Sequence, residues 1–305
     1  PSRGLGDVYK RQDYNTAVGS DALKTATTTT KNTAIGYEAL EATTTGSYNT
    51  AVGSNCMKAN TTGASNTAVG QGALAQNTTA DYNVAIGVDA MNANTTGNQN
   101  VVVGSLALDA NTTGIYNVAI GHLALSGNTT AGKNVAVGHA SLRFNSTGAN
   151  NVALGTNALT ANTTANQNVA VGYDALASTT TGDQNTAVGG YALDTNTTGE
   201  YNVAIGYAAL DANTTANNNT GVGYHALKAN TTGAQNTALG YSALYANTTG
   251  AEGTNDANTK SDILSNGFKV VSDDDKTNKS GSNFIYMAWA EETLVTSGGV
   301  PATAR

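Results

Sequence analysis

His122 and His139 lie one repeat apart in a chain that repeats every 17 residues. Repeats stacked about 4.8 Å apart would bring their imidazoles close enough to share a metal ion. The same repeat position elsewhere holds Ser, Tyr, Gln, Val, Thr or Gly, the variety of an exposed site, so the pair reads first as surface histidines and only second as a metal site. Tyr207, Tyr224 and Tyr241 occupy that position in three consecutive repeats, with Tyr173 further back. An aromatic strip among neutral polar groups can hold sugar rings, although tyrosine also suits any exposed β position.

Other chemistries find no footing. Asp273-Asp274-Asp275 lacks the alternating ligands and distal glutamate of a calcium loop, and Lys276 and Lys279 follow it, so it reads as a solvated turn. The carboxylates scatter over variable positions and offer no pair for glycoside cleavage. No Ser-His-Asp spacing, phosphate-cradling loop or zinc motif is present. Cys56, the only cysteine, stands where other repeats carry Ala or Ser and reads as a small buried residue. The sequence therefore suggests neither an enzyme nor a cofactor.

Only 11% of the 305 residues are charged, against about 25% in typical globular chains, and large side chains are scarce, with three Phe and one Trp. A thin core drawn out along one axis fits this composition better than a thick one. The net charge of -7 comes with no basic block, which argues against nucleic acid as a partner. There is no run of 18 apolar residues to insert into a membrane, and the first residues do not read as a signal peptide.

The element that must position these residues is the repeat itself. Fourteen units start at Asn15 and recur without insertion to Asn236, ending at Glu252, with the consensus N-[TV]-A-[VIL]-G-x-x-A-L-x-A-N-T-T-[GA]-x-x. Seventeen residues are too few for a helix pair and make one solenoid coil. We number the positions from the leading Asn. Positions two to four alternate as a short strand, as in Val84 and Ile86, and the Gly that follows in every unit should turn the chain with positive φ or against a close backbone. Ala-Leu at positions eight and nine is expected to form a second strand. N-T-T-G, as in Asn94 to Gly97, has turn chemistry with Gly left-handed; it also matches the glycosylation sequon, which in an unvarying turn carries little weight.

Asn at position one and Thr at position fourteen never vary. Stacked Asn83, Asn100, Asn117 and Asn134 should form a ladder in which each amide donates to the next. Position three is Ala in twelve of fourteen units, the exceptions being Val102 and Gly221. Because these residues alternate with the apolar ones, Ala85, Ala119 and Ala136 are expected to face outward onto another copy of the chain, making a homotrimer.

The expected organisation is a 1–12 segment outside the register that reads as a translated adapter or assembly scar, a repeat region at 13–252, and a β-rich cap or tip at 253–305. Asp13-Tyr14 match Asp81-Tyr82 before Asn83, so they read as the tail of an earlier repeat, and a longer natural N-terminus is expected. In the tip, Ile263-Leu264, Phe268 to Val271 and Phe284 to Ala290 read as strands. The fold class is thus all-β: a repetitive β-solenoid or β-roll of fourteen 17-residue coils, trimeric, with a small C-terminal tip.

The core N-V-A-I-G-x-x-A-L of Asn117 to Leu125 and Asn202 to Leu210, and of Asn83 to Met91 with Met for Leu, resembles the repeats of trimeric autotransporter adhesin heads, whose units are commonly shorter. The 17-residue variant is more similar to the shafts of bacteriophage tail fibres and spikes. So are S-D-I-L-S-N-G-F-K-V (Ser261 to Val270), F-I-Y-M-A-W-A-E (Phe284 to Glu291) and G-V-P-A-T-A-R (Gly299 to Arg305). This resemblance implies a non-catalytic trimeric fibre of the virion tail that meets a host-surface glycan or protein. A bacterial trimeric adhesin at the cell surface is the second reading. An ice-binding solenoid, using its threonine rows, is the third.

Overall fold

A computed structural model describes residues 14–249 together with two short strands, Asp262–Leu264 and Gly267–Lys269. Each coil contributes one three-residue strand at positions two to four, from β1 (Thr16–Val18) to β14 (Thr237–Leu239). The fourteen strands form one sheet in chain order with every neighbouring pair parallel. Each residue pairs with its equivalent one repeat on, so Val84 faces Val101 and Ile86 faces Val103. The chain is a parallel β-solenoid with one 17-residue coil per turn.

β-Branched residues at positions two and four favour the extended backbone, and the glycine at position five ends it. That glycine takes φ between 121° and 145° in all fourteen coils, a region L side chains rarely enter. Space forbids a side chain as well: a Cβ on Gly87 would collide with the carbonyl of Gly104 in the next coil. Both reasons anticipated for this glycine hold.

The alternation within the strand runs opposite to expectation. Ala85, Ala119 and Ala136 are fully buried inside the coil, whereas Ile86 and Ile120 at position four are 39% exposed on its outside. The interior is too narrow for a branched residue in every coil, because Leu at position nine already fills it from the facing side. A Cβ placed on Gly221 would lie 3.4 Å from Leu210 Cγ, which shows how closely position three meets that leucine row. Ala therefore stays small because of its own coil's core, and it forms no surface for a second chain.

Positions eight and nine form no strand. Leu at position nine is left-handed, with φ of 51° at Leu40, 49° at Leu108 and 53° at Leu159, and most residues at positions seven and seventeen share that conformation. Gly97 and Gly114 in the N-T-T-G segment are not left-handed, so the expected roles are exchanged. A left-handed non-glycine residue costs about 1 kcal/mol or more. The stacking opposes this cost, because the backbone keeps bonding from coil to coil: Leu40 N–H donates to Cys56 O at 3.1 Å and Ala42 N–H to Lys58 O at 3.0 Å. Leu40, Met57, Leu74 and Met91 are thereby delivered, fully buried, to one continuous core. Cys56 sits in that core, and burial pushes its thiol pKa up to about 12.

In the C-terminal segment, β15 (Asp262–Leu264) and β16 (Gly267–Lys269) pair antiparallel, with Ile263 opposite Phe268. The 1–12 segment and the strand expected at Phe284 to Ala290 lie outside the described residues.

Register dominates this fold, so whole-unit and part-unit deletions should behave differently. Removing Asn100 to Tyr116 returns every row to alignment and should lower the melting temperature by only a few degrees. Removing Asn100 to Ala107 puts glycine and asparagine rows opposite the wrong partners and should abolish the sheet beyond the deletion. Circular dichroism with small-angle scattering separates the outcomes; equal stability of the two deletions would contradict the register argument.

Candidate functional site

The outward face of the sheet carries two rows, Thr or Val at position two and Val, Ile or Leu at position four, in all fourteen coils. Neither row contains a charged residue. Val18, Ile35, Val69, Ile86, Ile120, Leu154, Ile205 and Leu239 are all exposed. The strip is about 65 Å long, which makes several hundred Å² of contiguous apolar surface. Parallel sheets are normally covered on both faces, and here one face is covered by the coil's own interior and the other by nothing among the described residues.

A second surface lies toward the C-terminal end of the shaft. Tyr207 stacks on Tyr224 at 5.6 Å between ring centroids, and Tyr224 on Tyr241 at 5.2 Å, with planes within 13° and 7° of parallel. Tyr191 joins the row edge-on between Tyr173 and Tyr207, at 5.4 and 5.7 Å. His225 lies 3.8 Å from the Tyr224 ring and within 5.9 Å of Tyr245. The sequence reading found the three stacked tyrosines and missed Tyr191, His225 and Tyr245, which sit at positions seven and ten and reach the row across a corner. Parallel rings this close leave no room for a sugar between them. Face-on contact is therefore confined to the end of the stack, where Tyr241 is 79% exposed.

Carboxylates border this strip. Burial, reinforced by Asp174 and Asp211, pushes the Asp194 pKa up to about 6. Burial also raises Asp211, against the pull of Lys228, whose Nζ lies 3.9 Å from its carboxylate. A hydrogen bond to Asp174, and then that residue's charge, raises the Tyr173 phenol. Burial, and then Lys228, lowers the pKa of His225.

His122 and His139 do meet, with their rings stacked at 5.5 Å and 19° apart in plane. Among the described residues no three His, Cys, Asp or Glu side chains gather as a metal cluster.

The asparagine rows are scaffold, and there are two of them. Asn83, Asn100, Asn117 and Asn134 are fully buried, but the expected amide-to-amide ladder is secondary. Their Oδ1 atoms chiefly accept the next asparagine's backbone N–H: Asn100 N–H to Asn83 at 2.9 Å, Asn117 N–H to Asn100 at 2.9 Å, Asn134 N–H to Asn117 at 3.0 Å. Their Nδ2 groups donate to the position-fifteen carbonyl of their own coil, as Asn100 does to Gly114 O at 3.0 Å. The amide-to-amide ladder stands at position twelve, running from Asn60 to Asn162, which sequence reasoning had placed in an open turn. There Asn94 Nδ2 donates to Asn77 Oδ1 at 3.0 Å, Asn111 to Asn94 at 2.9 Å and Asn128 to Asn111 at 2.9 Å. The asparagines of the N-T-T-G sequons are these same buried residues, so a glycan on any of them is incompatible with the folded coil.

The second ladder is broken at Thr179, whose hydroxyl donates to Asn196 O at 3.1 Å and accepts from Asn196 Nδ2 at 3.3 Å. It offers nothing to the coil before, and Asn162 Oδ1 is left buried without a hydrogen-bond partner.

Comparison with known proteins adds no relative to these observations: no family model, curated protein or solved structure matches the chain.

Two measurements probe the interior and the acidic border. Thr179→Asn would supply the missing donor to Asn162 and should stabilise the shaft by about 1 kcal/mol, read by chemical denaturation; a loss of stability would mean that the orphan acceptor is not what limits this coil. Asp194 has a folded pKa above its ordinary value of 3.8, so its contribution to stability is present below about pH 4 and is lost as pH rises through about 6. Asp194→Asn should therefore melt higher than the parent at pH 7 and converge with it near pH 4. A constant difference at all pH values would show that the carboxyl does not titrate as described.

Proposed function

We propose that the chain is the shaft of a non-catalytic attachment fibre that assembles with copies of itself through the outward face of its sheet. The observation that carries this reading is the uninterrupted aliphatic row at position four, exposed or half-buried on the outside of every coil and nowhere charged. An exposed row left to drift would have acquired Lys, Glu or Ser, as positions seven and ten have. A surface of this size on a parallel sheet is stable when a partner covers it. The resemblance to tail-fibre shafts and trimeric adhesin heads supports three copies in the assembly, and the tail-fibre-like C-terminal motifs favour a virion tail over a bacterial cell surface. This trimer rests on Ile86, Ile120 and Val137, not on the alanines beside them.

Attachment to a host-surface glycan fits the aromatic end of the shaft. The open face of Tyr241 suits stacking against a neutral sugar ring. The ice-binding alternative draws on Thr at position fourteen, which is exposed in every coil. It needs no self-association, so one measurement separates it from the fibre reading.

That measurement is the mass of the full chain at micromolar concentration, by native mass spectrometry or light scattering. Three copies are expected. Ile120→Glu with Val137→Glu should give a folded monomer, because both side chains lie outside the coil, whereas Ala119→Glu should unfold the shaft by forcing a charge into its core. A folded monomer from the parent sequence would overturn the proposal.

A further inference from the structure

Coils seven and eight bring two imidazoles together on the outside of the shaft, in a setting that nothing in the fibre reading explains. We propose that His122 and His139 form a two-point site for a borderline divalent transition-metal ion such as Ni2+, Cu2+ or Zn2+.

Three observations carry this. The rings are stacked 5.5 Å apart and nearly parallel, so a small rotation of either exposed side chain brings one nitrogen of each to a shared ion. Metal–nitrogen distances of about 2.0–2.1 Å require only that the two nitrogens approach to roughly 3 Å. The backbone beneath is fixed: Gly138 N–H donates to Ile120 O at 2.8 Å and Ala140 N–H to His122 O at 3.0 Å. Binding therefore orders side-chain torsions alone and does not have to assemble the site. Neither ring takes part in a hydrogen bond among the described residues, so the ligating nitrogens are not already engaged.

The surroundings agree. The same position in the flanking coils holds Ser105 and Thr156 and the next position holds Leu123 and Ala140, all uncharged, while Arg143 at position ten of the His139 coil is held over the Phe144 ring at 4.9 Å. Imidazole suits Zn2+, Cu2+ and Ni2+ and not the hard ions Ca2+ and Mg2+. The absence of a third side-chain ligand among the described residues leaves coordination positions for water or for a donor from another molecule. His225 is a natural control within the same chain, since it has no imidazole partner and lies against Tyr224 with Lys228 nearby.

The probe is NiCl2 added to the untagged full chain. In the parent protein, the ring signals of His122 and His139 should broaden together at substoichiometric Ni2+ while those of His225 stay sharp. By calorimetry, His122→Ala and His139→Ala should each weaken binding at least about tenfold, and to the same level as the double variant, because a chelate is lost when either arm is removed. Both residues are exposed, so melting curves of the variants should overlay the parent. A loss of only about twofold in each single variant, adding up in the double, would mean independent surface histidines and overturn the site. So would equal broadening of His225, or binding of Ca2+ as tight as that of Ni2+.

Discussion

The carbonyl at position fifteen is the joint on which the coil closes. Gly114 O accepts one hydrogen bond from Asn100, which opens the same coil, and another from Asn111, three residues before it, at 3.0 and 3.1 Å. One buried oxygen thus uses both lone pairs to tie the end of a coil to its beginning. The oxygens of the two amides then face neighbouring coils, one meeting a backbone N–H and the other an Nδ2. Closure within a coil and stacking between coils are therefore carried by the same two side chains. Aspartate could not replace either asparagine, since it lacks the donor, and serine could not span the distance.

With the interior committed almost throughout to amides, alanine and leucine, most of what distinguishes one coil from another is pushed outward. The coils differ at positions six, seven and ten, where the histidine pair, the tyrosine row and the acidic border reside. The shaft is a uniform rack on which local chemistry is placed by choosing the coil, and each added side chain lands about 4.8 Å from its neighbour along the axis. That spacing turns a single repeated residue type into a stack, as in Tyr207, Tyr224 and Tyr241, without any further design.

The period, the strand and the glycine turn were legible in the sequence because each leaves a local mark: an unbroken 17-residue step, β-branched residues at positions two and four, and a glycine that never varies. The direction in which the strand faces was not. Alternation shows that Ala85 and Ile86 point to opposite sides, but hydrophobicity would choose isoleucine for the inside. The narrowness of a coil already holding Met91 chooses alanine. Left-handed leucine was equally hidden, since propensity argues against it and only inter-coil bonding sustains it. The position-twelve asparagine was misplaced because N-T-T-G is good turn chemistry whether or not its first residue is buried. The His122–His139 and tyrosine stacks, by contrast, followed directly from counting by seventeen.

The in-register stack also has a mechanical meaning. A coil occupies about 4.8 Å of the shaft but contains enough chain to span roughly 55–60 Å when drawn out. Its hydrogen bonds to the neighbouring coil run along the axis, so a pull on the end loads one coil boundary at a time. Because successive boundaries are nearly alike, each yields at nearly the same force and releases some 50 Å of slack before the next is strained. A solenoid of this kind would not snap under a transient tug but would lengthen coil by coil, and every coil still standing would remain a finished edge onto which the released chain could wind back.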